Sequence, residues 1–401
     1  MQNKERLLYM DGLKAFAAIL VFNIHFLNAF YSGIYTLDPA DFHTKAGIEW
    51  WIGATPLNLV YAGKLGARMF LGISAFLIVR NYYRSHNNMT PALFLVSTAK
   101  RYLKLGIPIL VVNLFIVVGM RLGLYQNHLA ANSIGPTEQY GVYNQFSPVI
   151  TDAVKEALYG AFVIGSNKYN GPLWFIQYEF LGCMLISLIL MVFGKRKVRY
   201  LCYLIFAVLF IRMDYLVMIL CAFLADVITN QEQQLQRIFS KNILPGWTHS
   251  KKTIEVKNLL WFLIPPILYF ATYPSYGSNL EGSIYTFVPP KVLFYYNVII
   301  PVFLGVLYFL KPLQTLFDRN LLKRFNRISY LFYLVHFPIL CMLSSRIFLL
   351  LYDKVNYHIL AGMNYVVTIV CAIIVAWFLT VLIYEPILRI TEKLGKLSKS
   401  A

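Results

Sequence analysis

The sequence predicts an all-α, polytopic integral membrane protein: a helical bundle with about ten transmembrane helices and with both termini in the cytoplasm. Two observations lead to this fold class. Of the 401 residues, 58% are hydrophobic and only 13% are charged, whereas a typical soluble domain carries roughly 25% charged residues. The apolar residues also gather in runs that approach the ~20 residues needed to cross a bilayer as a helix.

Ten apolar segments are predicted to be membrane spans, and polar or charged residues separate them. The predicted spans are residues 12–31, 58–79, 106–124, 173–193, 199–211, 215–230, 258–273, 292–310, 328–350 and 359–384. The fifth and sixth segments are short. They could instead form one long helix that is broken near Arg212 and Asp214, which would give nine spans.

The distribution of lysine and arginine favours ten spans over nine. With ten spans and both termini inside, only six of the 36 basic residues fall in outer loops: Lys45, Lys155, Lys168, Arg212, Lys291 and Lys354. Most of the others lie in the loops that this topology places inside, as the positive-inside rule requires. Nine spans would place the C-terminal end outside and remove the asymmetry.

Composition and spacing exclude several function classes. The net charge is +18, but the basic residues punctuate the apolar segments instead of forming one patch, so nucleic acid is not a predicted partner. The five cysteines and seven histidines show neither CxxC nor HxxxH spacing, so no disulfide or metal site is predicted. No Walker or GxGxxG phosphate loop is present, and no cleavable signal peptide is visible.

Residues 1–401 are predicted to form a single transmembrane domain without an appended soluble domain.

The first predicted span carries an ionisable residue deep within its apolar run, His25. Ionisable groups within a bilayer are costly, so they commonly mark functional sites. Lys14 precedes His25 by eleven residues, which places the two side chains within ~20° of the same helix face and ~16 Å apart along the axis. Asp11 lies within ~60° of that face. The alternative is that His25 is a polar residue that holds packed helices together.

Five segments of the chain resemble the membrane-bound acyltransferase family 3. In chain order they are Asp11-Gly12-Leu13-Lys14 with His25, residues 66–78, Lys100-Arg101, Gly171-Pro172-Leu173-Trp174 with Tyr178-Glu179, and Ser329-Tyr330 with Tyr333 and His336. Each segment is a weak signal alone, but five in this order make a specific match over nearly the whole chain. Lys14 stands where the family usually has arginine, Lys100 replaces the first of two paired arginines, and Ala75 replaces a glycine.

The resemblance implies a membrane enzyme that acts as an O-acyltransferase, most simply an O-acetyltransferase of the cell membrane. The implied donor is cytoplasmic acyl-CoA, such as acetyl-CoA, and the implied acceptor is a hydroxyl of a cell-surface or lipid-linked carbohydrate. No permanently bound cofactor is implied. The predicted site residues are His25, Asp11 and Glu179 as catalytic, Lys14, Arg68, Lys100 and Arg101 as donor-binding, and Trp174, Tyr178, Ser329, Tyr330 and His336 as substrate-binding.

An imidazole suits this chemistry because its neutral form can take the proton of a hydroxyl near pH 7. His25 could equally carry the acyl group covalently for a moment, and the sequence does not separate the two roles. Arg68 lies too deep in its helix to reach the interface, so it needs a partner. That partner is predicted to be either Glu179 or a substrate carbonyl oxygen.

Several of these residues could instead have a purely structural role. Lys100 and Arg101 could be topology anchors, and Trp174 could belong to the aromatic belt at a membrane interface. A lone helical histidine such as His336 is often a packing residue. Two rival functions also remain: a transporter or flippase of lipid-linked saccharides, and a membrane partner without catalytic activity. The transporter lacks one expected feature, since no pair of similar halves with Gly/Pro-broken helices is apparent.

Overall fold

The computed structural model describes residues 7–45, 47–85, 89–135, 140–243, 255–274 and 277–400, except for the side chains of 394–400. Within those residues the protein is built from helices and contains no β-strand. The predicted all-α fold class is therefore confirmed for the described part of the chain.

Nineteen α-helices are described. They are α1 Leu8–Phe30, α2 Gly33–Thr36, α3 Ile48–Gly53, α4 Gly63–Arg84, α5 Pro91–Arg121, α6 Asn127–Ile134, α7 Ile150–Lys155, α8 Trp174–Phe193, α9 Arg199–Leu209, α10 Tyr215–Asn230, α11 Glu232–Phe239, α12 Ile264–Ala271, α13 Val292–Phe309, α14 Lys311–Phe317, α15 Asn320–Asn326, α16 Ser329–Ile339, α17 Ser345–Leu351, α18 Tyr357–Leu379 and α19 Glu385–Ser400.

Shorter 3-10 and π-helical segments connect or extend these helices. The 3-10 segments are Pro39–Asp41, Pro56–Tyr61, Gly171–Leu173 and Val256–Leu263, and the π-helical segments are Glu156–Ile164, Leu340–Ser344 and Thr380–Tyr384. The segment Leu340–Ser344 joins α16 to α17, and Thr380–Tyr384 joins α18 to α19, so each pair forms one continuous helical rod. Such π-turns inside longer helices locally widen the backbone.

Each of the ten predicted spans contains a helix, but only six helices of the described residues are long and apolar enough to cross a membrane by themselves. They are Leu8–Phe30, Pro91–Arg121, Gly171–Phe193, Val292–Phe309, Ser329–Leu351 and Tyr357–Lys393. A seventh is obtained if α10 and α11, which meet at an 84° bend, count as one span. The count of ten spans and the cytoplasmic termini stay predictions.

Charge and short length explain why other predicted spans are not long and apolar enough to cross a membrane by themselves. Helix α4 has 22 residues, but Lys64, Arg68, Arg80 and Arg84 are spread along it and lower its hydropathy. Helix α9 has only 11 residues, and the segment 258–273 is divided between a 3-10 turn and the short helix α12. Helices of this length and charge need neighbouring helices to cover them within a membrane.

The charged helix α4 lies at the centre of the fold, packed against α1, α10, α8 and α13. Glycines allow α1 and α4 to approach closely. A methyl group added at Gly66 would lie 2.7 Å from the carbonyl oxygen of Ala17, and one at Gly63 would lie 2.2 Å from a side-chain carbon of Ile24. Small residues at such interfaces let two helix backbones come together. This contact holds the second half of α1, with His25, against the start of α4.

Candidate active site

Two cavities lie at opposite ends of the helix group α1, α4, α8 and α16. The first, which we call the histidine cavity, has a volume of about 290 Å³ and lies between the second half of α1 and the first turns of α4 and α8. Its lining residues are Val21, Ile24, His25, Asn28, Tyr35, Tyr61, Gly63, Lys64, Ala67, Arg68, Tyr143, Asn167, Trp174 and Tyr333.

The second cavity, which we call the basic cavity, has a volume of about 550 Å³ and lies at the other end of these helices. Its lining includes five basic side chains and one carboxylate. The lining residues are Lys14, Phe70, Ser74, Leu77, Ile78, Asn81, Ser97, Lys100, Arg101, Lys104, Leu105, Phe175, Glu179, Asn326, Arg327, Ser329, Tyr330, Tyr333 and Tyr384. Only Tyr333 belongs to the linings of both cavities.

His25 is half-buried and faces the histidine cavity, and its ring lies against α16. The ring centre of His25 is 5.2 Å from that of His336 and 5.0 Å from that of Phe337. His336 is fully buried, and its Nδ1 lies 3.2 Å from the carbonyl oxygen of Phe332. A carbonyl oxygen only accepts hydrogen bonds, so this contact places the proton of a neutral His336 on Nδ1. The Nε2 atom has no hydrogen-bond partner within the described residues.

Arg68 does not pair with Glu179, which was one of the two partners predicted for it, and that alternative was wrong. Its Nε donates to Oδ1 of Asp214 at 2.7 Å, and its Nη2 donates to Oδ2 at 3.1 Å, so the two side chains form a bidentate pair. Both side chains are less than 10% exposed. Asp214 lies directly before α10, the helix that packs most extensively on α4, so it reaches Arg68 from the next helix in space. Arg68 also lies 5.9 Å from the ring centre of Trp174.

Glu179 lines the basic cavity, away from the cavity that contains His25. Its Oε1 accepts hydrogen bonds from Arg101 Nη1 at 2.6 Å and from Ser74 Oγ at 2.9 Å. The other carboxylate oxygen, Oε2, is buried without a hydrogen-bond partner in the described part of the chain. The prediction that Glu179 acts beside His25 as a catalytic residue has no support from this placement.

The predicted donor-binding residues are divided between the two cavities. Lys14, Lys100 and Arg101 line the basic cavity together, as expected, whereas Arg68 lines the histidine cavity. Two further basic residues of the basic cavity, Lys104 and Arg327, were not predicted as site residues. Lys104 lies one helical turn after Arg101 and could have been found from that spacing. Arg327 pairs with Glu385 across the start of α16 and the start of α19, a relationship that spacing does not reveal.

The predicted substrate-binding residues are likewise divided. Trp174 lines the histidine cavity, whereas Ser329 and Tyr330 line the basic cavity. Tyr178 packs its ring 4.9 Å from Tyr215 and lines neither of these cavities. His336 also lines neither cavity, but its ring contacts the ring of His25. The predicted catalytic residue Asp11 lies in the first turn of α1, outside both cavity linings.

Several polar residues of the histidine cavity were not predicted. Asn28 follows His25 by three residues, so the two share a helix face, and its Oδ1 is buried without a hydrogen-bond partner among the described residues. Tyr35 comes from the short helix α2, Tyr61 from the end of the 3-10 segment Pro56–Tyr61, and Asn167 from the connection before α8. Only the position of Asn28 could have been inferred from helical spacing. No group of three or more His, Cys, Asp or Glu side chains in the described residues could hold a metal ion.

The comparison with protein families agrees with the motif assignment. The family model described as an acyltransferase domain matches residues 7–385, nearly the whole chain. The chain therefore belongs to acyltransferase family 3. No curated protein and no solved structure matches the chain significantly.

Proposed function

We propose that this protein is a membrane O-acyltransferase that moves an acyl group, most simply acetyl, from acyl-CoA to a hydroxyl of a cell-surface or lipid-linked carbohydrate. One observation carries the proposal: a cationic cavity and a histidine-containing cavity approach each other from opposite ends of the same helices and share Tyr333. Membership of acyltransferase family 3 supplies the reaction class.

The basic cavity suits the phosphate groups of coenzyme A. Lys14, Lys100, Arg101 and Lys104 line it, and Glu179 opposes them with a single negative charge. Phosphates are bound well where several Lys and Arg side chains converge, because ionised groups make the stronger hydrogen bonds. In the predicted topology this cavity faces the cytoplasm, where acyl-CoA is made. The ~16 Å between Lys14 and His25 along α1 is comparable with the reach of an extended pantetheine arm.

The histidine cavity suits a polar acceptor that carries hydroxyl groups. Trp174, Tyr35 and Tyr61 present aromatic rings there, and Asn28 and Asn167 present amides. Pockets of this kind fix a ligand with a few placed polar groups and cover the rest of it with apolar surface. Carbohydrates need both, since one face of a sugar ring is apolar and its rim is polar.

The chemistry assigned to the site is an addition followed by an elimination. The acceptor oxygen attacks the thioester carbonyl carbon while its proton passes to the neutral ring of His25. The carbonyl oxygen becomes negatively charged, and the positive charges of Lys64 and Arg68, which line the same cavity, favour that charge. The C–S bond then breaks. Coenzyme A leaves as a thiolate that takes the proton from His25, and the acyl ester stays on the acceptor.

The deciding experiment separates donor binding from chemistry in detergent-purified protein. Binding of acetyl-CoA and transfer of a labelled acetyl group to a total glycolipid and surface-polysaccharide extract are measured for wild type, His25→Ala and the control His358→Ala. His358 lies at the start of α18 and lines neither cavity. We expect His25→Ala to lose about 10²- to 10⁴-fold in transfer, with donor binding unchanged.

Full transfer by His25→Ala would contradict the proposal, as would a wild-type protein that neither binds nor consumes acetyl-CoA. Release of free coenzyme A, detected as a thiol, provides a second readout that does not depend on the choice of acceptor. A stable acyl adduct found on His25 by mass spectrometry would assign that residue the covalent role instead of the role of a general base.

A further inference from the structure

Three aromatic rings lie where the two cavities adjoin. Phe70 of α4, Phe175 of α8 and Tyr333 of α16 contact one another, with ring-centre distances of 6.1 Å between the two phenylalanines, 6.3 Å between Phe70 and Tyr333, and 5.5 Å between Phe175 and Tyr333. Aromatic rings at 4.5–7 Å are in direct contact. These three contacts bring α4, α8 and α16 together in one aromatic cluster.

Along α4 and α8, the residues on one side of the rings line the histidine cavity and those on the other side line the basic cavity. On α4, Arg68 lines the histidine cavity and Phe70 lines the basic cavity. On α8 the same change occurs between Trp174 and Phe175, and on α16 Tyr333 lines both cavities. The three rings therefore mark the level in the bundle at which the two cavities adjoin.

The three rings differ in how firmly their neighbours hold them in place. The hydroxyl of Tyr333 donates a hydrogen bond to the carbonyl oxygen of Pro172, which fixes that ring to the turn before α8. Phe175 is buried and packs edge-on against Trp174 at 6.3 Å. Phe70 is only half-buried and has no polar anchor, because a phenyl ring has no hydrogen-bonding atom. Phe70 is thus the ring that can turn aside with the smallest loss of contacts.

We propose that Phe70 is the movable element of an aromatic gate, with Phe175 and Tyr333 as its fixed sides, and that this gate limits the size of the acyl group that reaches His25. The inference rests on the proposed function, since it assumes that the donor enters through the basic cavity. It adds a residue that determines specificity for the acyl chain. A closed apolar constriction discriminates by roughly tenfold or more for each added methylene group.

The first test follows the thioester across the proposed gate without an acceptor. Purified protein is incubated with bromoacetyl-CoA, whose CH₂–Br carbon alkylates a thiol with loss of bromide, and labelled peptides are identified by mass spectrometry. Ser74→Cys places a thiol in the basic cavity, before the gate, and Asn28→Cys places one in the histidine cavity, beyond it. Site-resolved detection allows the five native cysteines to be left in place.

We expect both thiols to be labelled when Phe70 is present. Phe70→Trp should slow labelling of Asn28→Cys at least about tenfold, because a larger ring overfills a packed site, and it should leave Ser74→Cys unaffected. Equal labelling of Asn28→Cys with phenylalanine and tryptophan at position 70 would overturn the gate while leaving the donor site intact. If Ser74→Cys is not labelled in any variant, the donor site itself is wrong, and the proposed function and the gate are both overturned.

The second test measures acyl-chain selectivity. Release of coenzyme A from acetyl-, butyryl- and octanoyl-CoA is compared for wild type, Phe70→Leu, Phe70→Ala and the control Phe206→Ala. Phe206 is a half-buried ring on α9 that stacks on Phe210, outside both cavities. We expect Phe70→Ala to raise the butyryl-to-acetyl ratio about tenfold or more, with Phe70→Leu intermediate. An unchanged ratio in both Phe70 variants would overturn the proposal.

Discussion

The imidazole rings of His25 and His336 lie 5.2 Å apart, centre to centre, on two different helices, α1 and α16. The Nδ1 atom of His336 donates a hydrogen bond to the carbonyl oxygen of Phe332. The buried Nε2 atom of His336 has no hydrogen-bond partner in the described residues. A neutral His336 therefore offers only an acceptor atom beside His25. In the proposed mechanism His25 takes a proton from the acceptor hydroxyl, and we expect an N–H of the resulting cation to donate to that atom. We therefore predict that His336 positions the ring of His25.

Replacement of His336 tests this role. His336→Phe keeps a ring to pack against Phe22 and Phe332 but removes the acceptor nitrogen. We expect turnover to fall about tenfold, the equivalent of one hydrogen bond of ~1–1.5 kcal/mol, with KM for the donor unchanged. The control is His128→Phe on α6, because His128 also has a buried ring nitrogen without a partner in the described residues and lines neither cavity. Equal turnover in both variants would assign His336 to packing alone.

Lys14 is expected to bind a phosphate of the donor. Lys14→Ala should weaken acetyl-CoA binding about ten- to hundredfold, since a hydrogen bond to a charged group contributes ~1.5–3 kcal/mol, and it should reduce the salt dependence of binding. Lys14→Arg should retain or tighten binding, because the planar guanidinium can hold a phosphate in bidentate fashion. Isothermal titration at two salt concentrations measures both effects. Lys311→Ala, at an exposed position of α14, is the matched control, and weakening of equal size in that variant would remove Lys14 from the donor site.

Glu179→Gln distinguishes two roles for this carboxylate. Its Oε1 accepts hydrogen bonds from Arg101 and from Ser74 inside the basic cavity, so we expect it to compete with a donor phosphate for Arg101. The amide keeps the shape and removes the negative charge. We expect donor binding to tighten several-fold, in line with the loss of about 1 kcal/mol of charge repulsion across a partly solvated site. Unchanged binding with a large loss of turnover would instead support the catalytic role predicted from the sequence.

Helical spacing accounts for the part of the site that the sequence could predict. His25 and Lys14 lie on one helix, so their shared face and separation follow from helix geometry alone. Lys14, Lys100 and Arg101 do line one cavity, as the motifs predicted. The all-α class followed from composition, and a helix is present at each predicted span.

The relationships that could not be predicted join side chains far apart in the chain. Arg68 and Asp214 are 146 positions apart, and Arg101 and Glu179 are 78 apart. Which carboxylate reaches which arginine depends on how α4, α8 and α10 are packed, and a helical period gives no information on packing between helices. For the same reason the sequence placed Glu179 near His25, although its helix directs it into the other cavity. The sequence could not show that the predicted substrate-binding and donor-binding residues are divided between two cavities, because it does not show which helices are neighbours in space.

The ion pair of Arg68 and Asp214, beside the histidine cavity, is expected to contribute strongly to the stability of the folded protein. Asp214→Asn leaves the Arg68 guanidinium buried without its counter-charge, and we expect the loss of about 3–5 kcal/mol that follows when one partner of a buried pair is removed. Thermal unfolding in detergent, followed by intrinsic fluorescence, measures the change. The control is Asp318→Asn, which breaks the more exposed pair with Lys323 and should cost no more than ~1 kcal/mol.

A double variant separates the structural from the chemical contribution of this pair. In Arg68→Leu with Asp214→Leu both charges are gone, so most of the lost stability should return, because replacing a whole buried pair by apolar residues is often neutral. Transfer activity should nevertheless stay low, since Arg68 lines the cavity in which the proposed reaction develops negative charge on the thioester oxygen. A double variant that regains both stability and activity would show that Arg68 serves the fold alone, and Lys64 would then be the cation assigned to that oxygen.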